Sequence, residues 1–362
     1  MVIAVVLGTR PEIIKMSPII RMLYNFSLEF YILHTGQHYS YNMDQIFFEQ
    51  LKLPQPKYNL KVGSGTHAEE TGKMLIGIEN ILLRDKPDIV LVEGDTNSVL
   101  AGSLAAVKVG IPVAHVEAGL RSFDRNMPEE INRVITDHIS YMLFAPTEHA
   151  KKNLLSEGIS EERIYVTGNT IVDAVYENLK IANKVCHKEI LKALNIKEKN
   201  FFLATVHRQE NVDNPRRFKE ILDGLKLVQE YYSMPVVYTI HPRARSKMKE
   251  YNLDSKGIIL TEPLDYLNFL MLESKAKMIF TDSGGVQEEA CILGVPCVTL
   301  RDNTERPETL EVGANIIAGT NPRRILEAAE RMMDNEGKWP NPFGDGKAGE
   351  RIVKIIKERI YG

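Results

Sequence analysis

The stretch VIAVVLGTRPEIIKMSP, residues 2–18, runs from an unbroken apolar segment through a glycine turn into a helix-like segment with Pro11 at its start. An apolar run without alternation is what a parallel strand covered on both faces requires, because neither face meets water. A proline in a helix's first turn sacrifices no hydrogen bond, since that N–H has no intrahelical acceptor. Strand, turn and helix recur at FYILHT (30–35), DIVLVEG (88–94), IPVAHV (111–116) and YMLFAP (141–146). The rhythm restarts after residue 168 with FFLATVH (201–207), PVVYTIH (235–241), GIILT (257–261), AKMIFTD (276–282) and GVPCVTL (294–300). Such alternation implies βαβ units. The expected fold is therefore α/β, with doubly wound domains at residues 1–168 and 169–344. The basic amphipathic segment GKAGERIVKIIKERIYG (346–362) follows a Pro/Gly-rich stretch, and a terminal helix over 345–362 is expected to pack back on the first domain.

Bulk composition narrows the function. At 362 residues the chain exceeds one ordinary core and suits two. A net charge of −3 gives no basic excess for nucleic acid, so no nucleic-acid partner is expected. No apolar run reaches the ~18 residues that span a bilayer, and no membrane association is expected. The opening MVIAVVLGTRPE reads as a strand rather than a signal peptide. Cys186, Cys291 and Cys297 form no CxxC pair or zinc spacing and suit buried thiols in a reducing cytoplasm. There is no HExxH, and ETGK (70–73) has His67 where a P-loop needs glycine. No GxGxxG follows the first strand, so no nicotinamide or flavin cofactor is expected, and without HExxH or a zinc spacing no metal is expected.

In doubly wound sheets, ligands bind beyond the carboxyl ends of the strands. The chemistry-bearing residues fall there. TDSGGVQEEA (281–290) leads from a strand into a helix through Ser283, Gly284 and Gly285. Glycines let a ligand approach the backbone, and the helix N-terminus offers N–H groups to an anion such as a phosphate. A capping box from Ser283 fails, because Val286 stands where glutamate or glutamine would be needed. Glu289, one turn further on, is placed to accept hydrogen bonds from two ribose hydroxyls. Arg10 and Lys15 in GTRPEIIKMSP suit a phosphate, though a solvated helix face accounts equally well for Lys15. Asp95 in EGDTNS, Glu117 in HVEAGLRS and Glu129 in MPEEINR suit acid and base roles. Two plainer readings compete: Asp95 as a helix N-cap, and Glu129 paired with Arg133 on a helix surface. His207 in HRQEN ends a strand of the second domain and faces the expected crevice between domains.

In this order GTRPEIIKMSP, TGQHY, EGDTNS, HVEAGLRS, PEEINR, HRQEN, TDSGGVQEEA and RDNTERPE resemble the non-hydrolysing UDP-N-acetylglucosamine 2-epimerases, from residue 8 to about 309. Each motif alone is weak; their common order is specific. The resemblance implies a GT-B-like fold, two Rossmann-like domains flanking an active-site cleft. It also implies reversible conversion of UDP-GlcNAc to UDP-ManNAc through anti elimination of UDP, 2-acetamidoglucal and re-addition. By that resemblance Asp95, Glu117 and Glu129 are the acid/base carboxylates, and Arg10, Lys15, Arg133 and His207 meet the diphosphate and the departing charge. Ser283, Gly284, Gly285 and Glu289 match the UDP-binding turn, Arg306 a further diphosphate contact, and Phe269 the uracil stack. Gln37, Arg208 and His241 match positions where many bacterial members hold a second, activating UDP-GlcNAc, although Ser40 stands near where those members carry another glutamine. The resemblance also implies a cytoplasmic homodimer. The rival readings are a 2-epimerase of a UDP-2,3-diacetamido uronic acid, a hydrolysing epimerase, a GT-B glycosyltransferase and a non-catalytic nucleotide-sugar sensor.

Overall fold

The computed structural model describes residues 2–36, 47–185 and 189–361. Its strands are β1 (Val2–Leu7), β2 (Glu29–His34), β3 (Tyr58–Asn59), β4 (Ile89–Glu93), β5 (Val113–Val116), β6 (Met142–Ala145) and β7 (Ile164–Val166) in one sheet. The second sheet holds β8 (Phe202–Thr205), β9 (Val236–Thr239), β10 (Ile258–Thr261), β11 (Met278–Thr281), β12 (Cys297–Thr299) and β13 (Asn315–Ile317). The orders are β3-β2-β1-β4-β5-β6-β7 and β10-β9-β8-β11-β12-β13, and the pairings are parallel. Both are Rossmann-like, as expected of a GT-B-like chain. In each, the order reverses beside the first strand, between β1 and β4 and between β8 and β11. Those are the topological switch points where such sheets open a crevice for ligand.

Burial explains why the central strands are legible as apolar runs. Ile3 through Leu7 are fully buried, as are Ile89 through Val92 and Phe201 through Ala204. β3, β7 and β13 escape the sequence reading. They are two or three residues long, lie at sheet edges and are partly exposed, so no continuous apolar run marks them.

The chain divides into two compact units, Met1–Tyr176 with Phe343–Gly362, and Glu177–Pro342. The sequence reading sets the first boundary at 168/169; the units part at 176/177, inside the helix Thr170–Val185. The reason is local. The Asp173 carboxylate accepts from the N–H groups of Ala348 (3.1 Å) and Gly349 (3.0 Å), at the start of the helix Ala348–Tyr361. Asn169 N–H donates to the Phe343 carbonyl at 2.8 Å. The segment just past 168 is thereby held within the first unit. The terminal helix buries Ile352, Val353 and Ile356 and lies against the helix Arg10–Asn25. Gly349 permits that approach, because a Cβ there would stand 3.1 Å from Pro18.

Cys291 and Cys297 are buried free thiols, and burial pushes Cys291 up to about 12; Cys186 lies outside the described residues. Among the described residues no helix is long and apolar enough to cross a membrane.

Candidate active site

At the first switch point, Gly8 ends β1 where a Cβ would stand 2.1 Å from both the Ser98 and the Thr35 hydroxyl oxygens. Only glycine fits. The next turn is pinned by Glu12, which is 2% exposed and accepts from Gly8 N–H (2.8 Å), Thr9 N–H (2.6 Å) and the Thr96 hydroxyl (2.7 Å). Burial nonetheless raises its carboxyl above the usual range, against those donors. One helical turn on, Lys15 Nζ stands 2.5 Å from Glu117 and 3.5 Å from Glu93. Its side chain is only 14% exposed, so it is no solvated surface lysine. One ammonium thus faces two buried carboxyls and cannot neutralise both. Burial, opposed by Lys15 and reinforced by Glu117, Glu12 and Asp95, pushes Glu93 well above the carboxylate range.

Glu117 itself has φ +68°, a left-handed conformation that costs a non-glycine residue on the order of 1–3 kcal/mol and persists only where neighbours enforce it. Those neighbours are visible. Asn169 donates to its carboxylate at 3.3 Å. Asp137 accepts from Gly119 N–H (3.1 Å), His115 (2.6 Å) and Arg121 (2.7 Å), while the other His115 nitrogen reaches the Gly94 carbonyl at 2.8 Å. Burial alone would raise Asp137; His115 and Arg121 outweigh it and hold the carboxylate low. This buried network fixes the backbone on both sides of Glu117.

Asp95 does not cap the helix Asn97–Lys108; Thr96 does, accepting from Val99 N–H. The Asp95 carboxylate instead pairs with Arg133, whose guanidinium also reaches Glu130 at 2.9 Å. Glu130 accepts from Ser122 N–H (3.0 Å) and Phe123 N–H (2.9 Å); those donors outweigh burial and lower its carboxyl. The surface pair that competed as the plainer reading of Glu129 and Arg133 is not formed. Arg133 turns to Glu130 and across to Asp95, and Glu129 is exposed. Arg10 is half-buried with its guanidinium 5.6 Å from the Phe47 ring.

The second switch point is organised by Asp282, fully buried at the end of β11. It accepts from the backbone N–H groups of His207 (3.1 Å) and Arg208 (3.0 Å), from Asn211 (3.0 Å), and pairs with His207 Nδ1 at 3.0 Å. Burial would raise it, but these donors win and hold it below its ordinary value. Ser283 caps the helix Gly284–Leu293 by accepting from Val286 N–H, leaving Gly284 and Gly285 as its first residues. The first N–H groups of a helix have no intrahelical acceptor and suit an anion. A Cβ at Gly285 would meet nothing nearer than 3.9 Å, so the fold itself does not demand glycine there.

A pocket of about 200 Å³ opens beside this turn, lined by Thr205, His207, His241, Phe269, Ser283 and Val286 among others. His241 caps the helix Pro242–Glu250, its Nδ1 accepting from Arg243 N–H at 3.2 Å; burial, then the charges of His207 and Arg243, lower its pKa. Glu289 is 8% exposed and faces Tyr266 and Glu273. Arg306 pairs with buried Glu288 at 2.7 Å. Arg208 lies 3.7 Å from Glu305, which Arg301 grips at 2.7 Å.

The fold therefore brings together Glu117 with Lys15, Asp95 with Arg133, and His207, His241, Phe269 and Ser283 around one pocket. Gln37 lies outside the described residues. The sequence reading misses Glu12, Glu93, Asp137 and Asp282. Two left a signal: Thr9 and Glu12 have capping-box spacing, and Asp282 sits inside the TDSGG turn. Glu93 and Asp137 left none, since their partners are 78 and 22 residues away.

Known proteins align with this arrangement over its whole length. The family described as UDP-N-acetylglucosamine 2-epimerase matches residues 23–357. A UDP-N-acetylglucosamine 2-epimerase of Methanocaldococcus jannaschii is 60% identical over 100% of both chains. The crystal structure of the M. jannaschii enzyme in complex with UDP-GlcNAc and UDP superposes with a TM-score of 0.89, again over 100% of both chains. A UDP-2,3-diacetamido-2,3-dideoxy-D-glucuronate 2-epimerase of Pseudomonas aeruginosa is 40% identical over 98% of this chain and 99% of its own.

Proposed function

The chain belongs to the UDP-N-acetylglucosamine 2-epimerase family, and on that footing we propose that it interconverts UDP-GlcNAc and UDP-ManNAc by inversion at C2. It is an isomerase. The observation that carries the reading is the full-length 60% identity to the M. jannaschii epimerase, together with a superposition at TM-score 0.89 over 100% of both chains.

The C2 hydrogen is not next to a carbonyl, so direct deprotonation is ruled out by its acidity. In the proposed course a carboxylate takes the C2 proton while the C1–O bond to UDP breaks, leaving 2-acetamidoglucal with a C1=C2 double bond. UDP then re-forms the C1–O bond as a carboxylic acid returns a proton to the other face of C2. Glu117, Asp95 and Glu129 are the candidate acid/base groups. Lys15 pairs with Glu117 and Arg133 with Asp95, which fixes the place of two of those carboxylates. Arg10, Lys15, Arg133, His207 and Arg306 would meet the diphosphate, where fixed positive charge stabilises the leaving group. Ser283, Gly284 and Gly285 would hold phosphate at the helix N-terminus, Phe269 the uracil, and Glu289 the ribose diol. Arg208, His241 and Gln37 are the candidates for an activating second UDP-GlcNAc. No cofactor is invoked, because the elimination neither gains nor loses electrons overall. We further propose a cytoplasmic homodimer supplying ManNAc-type sugars to cell-surface glycans.

Proton NMR with UDP-GlcNAc in D₂O tests this. The expected result is loss of the C2–H signal with UDP-ManNAc appearing and no accumulation of free UDP. Free UDP with free ManNAc would indicate a hydrolysing enzyme, and an acceptor-dependent release of UDP a glycosyltransferase. The 40% identity to the diacetamido-glucuronate epimerase favours one alternative substrate. Absence of exchange with UDP-GlcNAc but exchange with that nucleotide would establish it.

A further inference from the structure

Arg306 is held by its backbone as well as by its side chain. Its N–H donates to the Thr304 hydroxyl oxygen at 3.1 Å, and its carbonyl accepts from the Thr309 hydroxyl at 2.7 Å and the Thr309 N–H at 3.1 Å. A threonine hydroxyl can rotate, so each hydroxyl bond is only as firm as whatever orients that hydroxyl. Both are oriented by buried amides. The Thr304 hydroxyl gives its proton to Gln287 Oε1 at 2.6 Å, which turns its lone pairs to the Arg306 N–H. The Thr309 oxygen accepts from Asn315 Nδ2 at 3.1 Å, which turns its proton to the Arg306 carbonyl. Asn315 Nδ2 also reaches Gln287 Oε1 at 3.1 Å, and Asn315 Oδ1 accepts from the Thr299 hydroxyl at the end of β12 at 2.9 Å. Gln287, Thr299 and Thr309 are fully buried, and Asn315 nearly so.

Gln287 is the centre of this frame. Its oxygen takes two donors, while its buried Nε2 finds no acceptor among the described residues. Methionine would fill the same space without leaving an unsatisfied N–H, but it would not accept from Thr304. Gln287 lies on the helix Gly284–Leu293, whose first N–H groups, at Gly284 and Gly285, have no intrahelical acceptor. Glu288, the next residue on that helix, pairs with the Arg306 side chain at 2.7 Å, and Arg306 Nη1 donates to the Glu305 carbonyl at 3.1 Å. One helix therefore holds the arginine twice, by its backbone through Gln287 and by its side chain through Glu288.

We propose that Gln287 is a positioning residue for nucleotide binding: by orienting the Thr304 hydroxyl it fixes the backbone of Arg306, and with it the point from which the guanidinium reaches the diphosphate of UDP. This rests on Arg306 being a diphosphate contact. The helix that offers N–H groups to phosphate at its start then also sets where the arginine stands, so the two contacts keep one spacing. A donor already in place needs no ordering when the nucleotide arrives, and its full interaction goes into affinity.

The test is a double-mutant cycle on UDP affinity, measured by titration calorimetry on the full-length protein, with folding checked by thermal melting. Gln287→Met removes the acceptor and Thr304→Val removes the hydroxyl. Each should weaken UDP about five- to tenfold, as the loss of one hydrogen bond does. Thr304→Ser keeps the hydroxyl and should stay within about twofold of the wild type. Combined with Arg306→Ala, neither Gln287→Met nor Thr304→Val should weaken UDP more than about twofold beyond Arg306→Ala alone, because each acts through that arginine. A loss of equal size in both backgrounds would overturn the proposal, since a merely structural role does not pass through Arg306. Either variant binding UDP as the wild type does, while Arg306→Ala binds about tenfold or more weakly, would also overturn it and leave the diphosphate reading standing. Thr304 is partly exposed in the segment before the helix Pro307–Glu311, so Thr304→Val carries the test should Gln287→Met fail to fold. Arg306→Ala binding UDP as the wild type does would remove the diphosphate reading, and the proposal with it.

Discussion

After β1 the N–H groups of Gly8 and Thr9 donate to Glu12; after β8, at the equivalent place in the second sheet, those of His207 and Arg208 donate to Asp282. Both carboxyls are buried and both pin the turn that leaves the central strand. They lean in opposite directions. Burial wins at Glu12 and raises it, whereas the His207 ring, Asn211 and two backbone N–H groups win at Asp282 and lower it. The same strand order around the switch point therefore carries different electrostatics. The first turn sits among paired acids and cations, Lys15 with Glu117 and Glu93, and Arg133 with Asp95 and Glu130, an arrangement suited to moving a proton. The second sits over a firm anion beside a glycine-opened helix start and a pocket, an arrangement suited to holding a nucleotide.

The sharpest way to break this contrast is to remove chemistry from one side only. Glu117→Gln should lower epimerisation by about 10²–10⁴-fold while UDP affinity stays near wild type, read by NMR turnover and calorimetry. Equal loss of UDP binding would mean that the first switch point also holds the nucleotide. Asp282→Ala should cost about 1–3 kcal/mol of stability for each buried donor it orphans, the N–H groups of His207 and Arg208 and the Asn211 amide, read by chemical denaturation. A lowered acid contributes stability that is present above its unfolded pKa and is lost as pH falls through the folded value, so wild type should lose this advantage over Asp282→Ala in acid.

The two glycines separate fold from ligand. Gly8→Ala places a Cβ 2.1 Å from two hydroxyls and should cost about 1–3 kcal/mol or prevent folding, by thermal melting. Gly285→Ala meets nothing nearer than 3.9 Å and should change stability by less than about 0.5 kcal/mol, yet weaken UDP about tenfold by crowding the phosphate. Undiminished UDP binding would take the phosphate away from this turn. The smallest effect is expected at Glu12→Gln, about 1 kcal/mol at neutral pH, since a side-chain amide can still accept from Gly8 and Thr9 and donate to Thr96. A raised acid stabilises below its unfolded pKa and loses that contribution as pH rises through the folded one. Glu12→Gln should therefore compare best with wild type above that window, opposite in sign to Asp282.

Sequence alone was sufficient for the nine interior strands, because a strand buried on both faces must be apolar at every position, and for edge strand β10, whose Ile258–Leu260 run stays apolar despite partial exposure. It sufficed also to place the site motifs at the carboxyl ends of strands, where doubly wound sheets bind ligands. The edge strands β3, β7 and β13 stayed hidden, since partial exposure relaxes that demand. Pairing within the site belonged wholly to tertiary structure. Spacing joins Arg133 to Glu129, and the fold joins it to Asp95 and Glu130. Lys15 reads equally as a phosphate ligand or a surface lysine until β4 and β5 bring Glu93 and Glu117 to it. Periodicity reports which face of an element is buried; it carries no information about which distant charge will lie opposite. Protonation is further removed still, because it depends on the balance of burial against donors that only the assembled structure brings within reach.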